Sequence, residues 1–384
     1  MARGVWAALA AGGLLLAGSL PAAASVGTAP RQCPTADGRV DSVAIRDQTA
    51  YVGGSFTHVT DGHGEVFARA RLAAVDTVSC EVLPWSPDVS GEVLAIAPTD
   101  TTVFIGGSFS SVDDTPRPKL AALDRATGRL VAFGATPNRT VRALALSADR
   151  LYVGGDFTKV GSVARGSLAA FMLDSGALDG AWKPTASGRV TTLANSPEAG
   201  RVYVGGTFQA LNGEADVAKL AAVDNDTGTL DRSFVPSPGW DVLDVVADTR
   251  GVYVGGGGAG GHVGIWNLDG TLQRPVYQTD GGVQSVSVDG DSLYAGGHFT
   301  NYCIGNTGTG SPFVCDKPLN RRKAFEISLS TGELTGWAPV FNSPRGIFAS
   351  DVEPVSHDLW VGGDFTTVNA KTLPHLAVLP SSSG

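Results

Sequence analysis

The feature that most constrains this chain is a short phrase that occurs seven times, for example "LYVGGDFT" at residues 151–158. The other copies read "AYVGGSFT", "VFIGGSFS", "VYVGGTFQ", "VYVGGGGA", "LYAGGHFT" and "LWVGGDFT". The first glycines of the pairs are Gly53, Gly106, Gly154, Gly205, Gly255, Gly296 and Gly362. Their successive spacings are 53, 48, 51, 50, 41 and 66 residues. A period near 50 indicates a repeat architecture.

One repeat, residues 119–157, contains four short apolar runs separated by turn residues. In spatial order these are strand a ("VRALAL"), strand b ("RLYVGGDF"), strand c ("LAALD") and strand d ("LVAF"). Short runs rich in Val, Leu and Tyr are typical of strands, and nothing in the repeat predicts a long helix. Four-stranded units repeated around an axis make a β-propeller, so we predict an all-β fold.

The two ends of the repeat array complement each other. The chain ends on "HLAVLP", a c strand without a following d strand, while "RQCPTADGRVDSVAI" near the start reads as the end of a d strand leading into strand a. We therefore predict a single seven-bladed β-propeller over residues 25–384, closed by strand exchange between its N-terminal and C-terminal segments. On this alignment "HLAVL" shares a sheet with residues 40–46.

A Gly-Gly pair weakens a strand unless the backbone must bend or approach something closely. We expect the pairs to let neighbouring blades approach where the wedge-shaped units narrow. A phosphate-binding role is disfavoured, because no helix follows the glycines.

The first 24 residues have the pattern of a secretory leader. A basic Arg3 precedes an apolar stretch, and Ala22 and Ala24 are small residues of the kind that signal peptidase reads. We predict cleavage after Ala24 and a secreted, extracellular protein without a membrane span. The net charge of −9, with 17% charged residues, argues against nucleic-acid binding.

Four cysteines in an exported chain predict disulfides, and four allow three pairings. Cys303 and Cys315 lie in one Gly/Asn/Thr-rich insertion, so we pair them locally. Elimination then pairs Cys33 with Cys80, although the repeat alignment places these two towards opposite ends of their blades.

The phrase "LYVGGDFT", with "LAALD" and a later Thr-Gly and Trp, resembles the delta-sixty-type repeat propellers of bacterial secreted proteins. It is similar in pattern to the fungal cortical-marker propellers and, more distantly, to kelch repeats. The resemblance covers residues 40–380 and implies the propeller fold. It implies little about activity, since propellers host both enzymes and binding proteins.

Motifs for cofactor chemistry are weak. Five tyrosines occupy the same position of the repeat, before Gly-Gly, and this disfavours a copper-radical site. The hairpin at Asp124–Gly128 predicts a tight turn rather than the motif of a quinone-dependent enzyme. "DNDTGTLD" lacks the glutamate of a calcium loop. His58, Asp61 and His63 form a local cluster that could bind a metal, but we favour a solvated loop and predict no cofactor.

The loops that lead into strand a should surround the mouth of a central channel, on the same face as the variable b–c loops. Aligned, they read "DGRV", "SGEV", "NRTV", "SGRV", "GWDV", "DGGV" and "PRGI". The candidate ligand-binding residues in these loops are Arg39, Arg139, Arg189, Trp240 and Arg345. Clustered arginines beside an aromatic ring suit an anionic or sugar-containing ligand, unless they are ordinary solvated side chains.

We therefore predict a monomeric, non-catalytic binding or scaffold protein whose partner is an extracellular or cell-wall glycan, with anionic groups, or another protein. The alternative is a hydrolase or lyase that acts on a polysaccharide at the channel mouth. Its acid/base residues would come from the same loops, which offer only Asp37, Glu92, Asp241 and Asp280.

Overall fold

The computed structural model describes residues 26–196, 198–304 and 315–382. Throughout these residues the chain forms strands, turns and bends, with no helix, so the prediction of an all-β fold is confirmed. No segment of the described chain has the long apolar helix that a membrane span requires. The predicted leader, residues 1–24, lies outside the described residues.

The strands of the first half of the chain are short and separated by turns. They are β1 (Thr35–Ala36), β2 (Val40–Arg46), β3 (Thr49–Gly54), β4 (His58–Thr60), β5 (Val66–Ala68), β6 (Leu72–Asp76), β7 (Val93–Pro98), β8 (Thr102–Gly107), β9 (Ser111–Val112), β10 (Thr115–Pro116), β11 (Leu120–Asp124), β12 (Leu130–Val131), β13 (Val141–Leu146), β14 (Arg150–Gly155), β15 (Lys159–Val160), β16 (Val163–Ala164) and β17 (Leu168–Met172).

The second half continues in the same way. Its strands are β18 (Val190–Ser196), β19 (Arg201–Gly206), β20 (Leu220–Asp224), β21 (Asp241–Ala247), β22 (Val252–Gly258), β23 (Gly260–Trp266), β24 (Tyr277–Thr279), β25 (Val283–Asp289), β26 (Ser292–Gly297), β27 (Asn301–Cys303), β28 (Pro318–Asn320), β29 (Ala324–Ser328), β30 (Ile347–Val352), β31 (Leu359–Gly363), β32 (Thr367–Val368), β33 (Lys371–Thr372) and β34 (Leu376–Leu379).

Seven antiparallel sheets, numbered here in chain order, contain the seven Gly-Gly phrases, and in each sheet the strand with the glycines lies second. The sheets are β2-β3-β6, β7-β8-β11-β12, β13-β14-β17, β18-β19-β20, β21-β22-β23 with β24, β27 and β28 added, β25-β26-β29, and β30-β31-β34. The first strand of each sheet lies beside the first strand of the next, and β30 lies beside β2. The arrangement resembles a β-propeller.

The two glycines of each pair have different neighbours. A Cβ added at Gly154 would lie 2.6 Å from Cγ1 of Val190, in the first strand of the next sheet. A Cβ added at Gly155 would collide with the carbonyl oxygen of Thr140 in its own sheet, where the register shifts between Val141 and Ala143. The first glycine therefore lets neighbouring sheets approach, as the sequence predicts, and the second makes room for a bulge.

We expect Gly155→Ala to destabilise the protein by on the order of 3 kcal/mol, because a backbone carbonyl cannot move aside without breaking the strand pairing. Gly154→Ala should cost less, about 1–3 kcal/mol, since only side chains, those of Val190 and Leu193, have to yield. Gly180→Ala is the control, because its Cβ would meet no atom within 4 Å. Urea unfolding measures all three; equal stability of Gly155→Ala and Gly180→Ala would contradict the assignment.

The N-terminal segment runs along the seventh sheet. The Gly27 and Arg31 amides donate to the carbonyls of Pro380 and Val378, at 2.7 and 2.8 Å. The expectation that "HLAVL" shares a sheet with residues 40–46 is wrong: β34 pairs with β31, whereas β2 belongs to the first sheet. The chain crosses from the seventh sheet to the first between Arg31 and β2, earlier than the repeat alignment placed it.

Both predicted cysteine pairs are confirmed. The Cα atoms of Cys33 and Cys80 lie 5.0 Å apart, and those of Cys303 and Cys315 lie 5.3 Å apart, both normal disulfide separations. The side chain of Arg31 lies over the first pair and bonds Asp358 of the seventh sheet at 3.1 Å. This disulfide therefore fastens the N-terminal segment to the first sheet.

A repeated arginine, three residues before the third strand, is a structural element that the sequence analysis missed. Its guanidinium donates to a carbonyl in the outermost segment of the same unit, at 2.7–3.1 Å. The four examples are Arg69, Arg117, Arg165 and Arg321. The sequence signal for this arginine is its constant position, three residues before each strand of the "LAALD" type.

Candidate functional site

The loops that precede the first strands and the loops that follow the Gly-Gly phrases lie on one face of the molecule. Side chains from the first set of loops accept hydrogen bonds from backbone amides of the second set. Oδ1 of Asp37 accepts hydrogen bonds from the amides of Thr57 and His58 at 2.7 and 2.9 Å. The equivalent residues in five other sheets, which cap the backbone in the same way, are Ser90, Asn138, Ser187, Asp280 and Asn342. We call this side of the molecule the loop face.

A central cavity of about 540 Å³ opens between the first strands. The residue that follows the first valine or isoleucine of each first strand lines it, so one ring of side chains comes from all seven sheets. The ring consists of Asp41, Leu94, Arg142, Thr191, Leu243, Gln284 and Phe348. Its composition is mixed, with one acid, one base and three apolar side chains.

Arg39 lies at this cavity, but its charge is already compensated. Its guanidinium bonds Asp41 at 2.6 Å and Glu92 at 3.2 Å, and it lies 5.1 Å from the ring centroid of Phe348. It thus joins the first, second and seventh sheets. Because two carboxylates already occupy its donors, Arg39 is poorly placed to attract an anionic ligand.

Arg139 and Arg189 lie together in a second, larger hollow of about 1000 Å³, between the third and fourth sheets. We call it the arginine cleft; Lys119 and Thr140 also line it. Within the described chain, the exposed Arg139 side chain makes neither an ion pair nor a hydrogen bond. Arg189, whose side chain is 47% exposed, bonds Asp156 at 2.7 Å.

The cleft is positively charged in an acidic protein. Asp156 is the one carboxylate that lines it, and it bonds a second arginine, Arg142, at 2.9 Å. Lys119 has no carboxylate within ion-pairing distance in the described residues; its ammonium donates to the carbonyl of Ser108. Among the residues that line the cleft, the three positive charges of Lys119, Arg139 and Arg189 face the one negative charge of Asp156.

Trp240 and Arg345 line neither cavity. Trp240 stacks on His262, with ring centroids 5.0 Å apart and planes 17° apart, and its ring covers Gly256. Burial lowers the pKa of His262 to about 4, so this stack pairs two neutral rings at neutral pH. Arg345 is exposed in the loop before β30. The structure therefore brings together two of the five predicted residues, Arg139 and Arg189.

The four carboxylates considered for acid/base catalysis all have protein partners. Asp37 and Asp280 cap backbone amides, Glu92 bonds Arg39, and Asp241 bonds Lys219 at 2.5 Å. Although burial raises the pKa of Asp37, the donors from His58 and Thr57 outweigh it and hold that pKa well below its usual value. Asp37 is thus a structural cap rather than a proton donor.

Three carboxylates of the first strands, which the sequence analysis did not single out, have raised pKa values. Burial raises the pKa of Asp41 to about 6, with Glu92 and Asp364 adding to the rise and Arg39 opposing it. Burial likewise raises the pKa of Asp244 and of Asp351 to about 6. The only sequence signal for these three buried carboxylates is that each lies within a strand among apolar residues.

Asp244 and Asp351 join neighbouring first strands. Asp351 Oδ2 accepts from the amide of Ile45 at 2.8 Å, and Asp244 Oδ2 accepts from that of Val286 at 2.9 Å. These bonds satisfy amides on the inner edges of the sheets, and they partly offset the rise in pKa that burial causes. The two carboxylates therefore connect the seventh sheet to the first and the fifth to the sixth.

We expect stability to fall as pH rises from about 4 through about 6, because the folded pKa of Asp351, about 6, exceeds its ordinary value of 3.8. Asp351→Asn keeps an acceptor for Ile45 and removes this penalty, so its melting temperature should gain more at pH 7.5 than at pH 4.5. The gain is part of the roughly 3 kcal/mol that two pKa units represent, because the Asp351 residue is only half-buried and solvent screens its charge. Melting curves at both pH values, with exposed Asp114→Asn as control, check it; equal shifts for the two variants would contradict it.

The predicted histidine cluster has local partners. His58 bonds Asp37 at 3.0 Å, and Asp61 accepts from the amides of His63 and Glu65, both at 2.8 Å. Among the described residues, no group of three or more His, Cys, Asp or Glu side chains is arranged to hold a metal ion.

Comparison with known proteins supports the fold alone. No protein-family model and no curated protein matches the sequence. The WD40 β-propeller domain of Doa1 superposes with a TM-score of 0.54 at 10% identity, covering 92% of this chain and 97% of that one. The computationally designed Ika8 protein superposes with a TM-score of 0.51 at 14% identity, covering 94% and 100%. The chain thus has a β-propeller-like fold.

Proposed function

We propose that this chain is an exported seven-bladed β-propeller that binds an anionic extracellular glycan in the arginine cleft and catalyses no reaction. The single observation that carries the proposal is the cleft itself, which three cationic side chains and one carboxylate line, among them the unpaired, exposed Arg139. A rigid scaffold that presents a charged hollow among its loops is a common arrangement for binding.

Each of the seven sheets is proposed to be one blade, with residues 26–33 supplying the outer strand of the last. Contacts between successive first strands, and between β30 and β2, support a closed ring. The seventh Gly-Gly pair supports it too, because Gly362 lies against Val40 as each earlier first glycine lies against the next sheet. The repeat pattern also supports membership of the delta-sixty-type family.

Export is proposed from the leader pattern at residues 1–24. The two disulfides are consistent with an extracellular protein, since such bonds persist in oxidising compartments. We propose that the mature chain acts as a monomer.

The test is an array of neutral glycans, anionic glycans and extracellular proteins probed with the mature protein. We expect anionic glycans to be retained at 50 mM salt and largely lost at 500 mM, because exposed charge contacts are screened. Retention of proteins but no glycan would replace the glycan with a protein partner. Retention of nothing, or equal retention of neutral glycans, would overturn the proposal.

A polysaccharide hydrolase or lyase is a second candidate, favoured by Asp41. A carboxyl with a pKa of about 6 that lies 2.6 Å from an arginine, at a cavity mouth, is suited to proton transfer near neutral pH. Incubation with the retained glycan tests this. New reducing ends or unsaturated sugars that disappear in Asp41→Asn would establish the enzyme.

A further inference from the structure

Asp156 links the two cavities of the loop face. Its Oδ2 bonds Nε of Arg142, which lines the central cavity, and its Oδ1 bonds Nε of Arg189, which lines the arginine cleft. Thr140 lines both cavities. One carboxylate therefore links an arginine of the central cavity to an arginine of the cleft.

We infer that Asp156 is a built-in counter-ion that occupies the position of the ligand's carboxylate, and that the ligand is a glycan containing uronic acid. This inference rests on the proposed function and specifies its ligand class. The two distances, 2.9 Å to Arg142 and 2.7 Å to Arg189, are those of charge-assisted hydrogen bonds to a carboxylate. The protein itself thus displays a carboxylate in the geometry that a uronate would adopt.

The remaining lining suits the ring of a sugar. Thr158 accepts a hydrogen bond from Asn138 at 3.1 Å, and Ser187 accepts from the amides of Gln209 and Ala210. With their oxygens engaged as acceptors, both hydroxyl hydrogens remain available to donate to sugar oxygens. The unpaired Arg139 supplies a further cation for the next acidic residue of the chain.

Binding then requires Asp156 to turn away, as the ligand carboxylate takes its place between Arg142 and Arg189. The cleft and the central cavity become continuous when this happens. A ligand chain longer than one sugar can lie in the cleft with its acidic end at the channel mouth. Asp156 therefore weakens binding, and it selects ligands that replace its charge.

Titration calorimetry of the mature protein with hexagalacturonate, and with neutral maltohexaose as control, tests the inference. Asp156→Asn removes the competing charge and should bind hexagalacturonate at least 10-fold more tightly than the unmodified chain. Arg189→Gln should bind it at least 10-fold more weakly. Arg345→Gln, an equivalent arginine outside both cavities, should stay within twofold.

Unchanged or weaker binding by a folded Asp156→Asn variant overturns the counter-ion role. If circular dichroism shows that this variant does not fold, Arg189→Gln decides, and unchanged affinity there overturns the inference. Absence of any binding to hexagalacturonate overturns the uronate class, whereas the proposed function fails if the array retains no anionic glycan or retains neutral glycans equally. The two failures are therefore distinguishable.

Discussion

Deleting residues 26–32 from the mature chain is expected to lower its melting temperature by roughly 10 °C. The segment donates to the carbonyls of Val378 and Pro380, and its Arg31 pairs with the buried Asp358. Without it, Asp358 loses its charge partner and the edge of the seventh sheet is exposed. The combined cost is on the order of 5 kcal/mol, and a domain of this size loses about 2 °C per kcal/mol.

Calorimetry of the truncated and full mature proteins measures this effect. Cys33 is retained in the truncated chain, so the disulfide to Cys80 can still form and its loss does not confound the comparison. Arg129→Gln, which alters an exposed arginine of a tight turn, is the control. An unchanged melting curve after truncation would contradict closure of the ring by the N-terminal segment.

The double variant Arg139→Gln/Arg189→Gln is expected to bind the retained anionic glycan about 100-fold more weakly. Each guanidinium donates charge-assisted hydrogen bonds that contribute about 1.5 kcal/mol, and the sum corresponds to two powers of ten in affinity. The variant should fold normally, because both side chains are exposed and neither fills a core position.

The matched control is Arg129→Gln/Arg345→Gln, which removes the same number of charges from exposed positions. We expect its affinity to change less than threefold, since neither arginine lines the cleft or the central cavity. Surface titration at a fixed salt concentration compares the two variants. Equal losses would show that net charge, rather than the arginine cleft, governs binding.

Local patterns allowed much of the fold to be predicted. The Gly-Gly phrase marks the second strand of all seven sheets, and Asp124 and Gly128 form the expected tight turn, in which Oδ1 of Asp124 accepts from the amide of Thr127 at 2.7 Å. These features depend on residues close together in sequence, or on strict repetition. The exact pairing of the N-terminal segment was mispredicted because two isolated β-bridges, Val26 with Ser381 and Arg31 with Val378, replace a full strand.

The candidate site was less predictable, since its geometry depends on partners far apart in the chain. The charge of Arg39 is compensated by Glu92, which lies 53 residues away in the sequence. Trp240 packs on His262, which lies in a hairpin whose register the repeat does not specify. The loop alignment placed Arg139 and Arg189 at a common channel mouth with Arg39, Trp240 and Arg345, whereas in the structure these two line the arginine cleft and not the central cavity. It could not identify Asp156, because the residue after Gly-Gly varies among Ser, Asp, Thr, Gly and His.

The central claim is that the ligand occupies the arginine cleft on the loop face. Hydrogen exchange measured with and without the retained glycan tests this claim most directly. We expect slower exchange in peptides spanning residues 138–142, 156–167 and 186–190, which contain residues that line the cleft. We expect no change in the turns at residues 124–128 and 224–228 on the opposite face. Protection confined to those turns, or to the loops of the other sheets, would contradict the account.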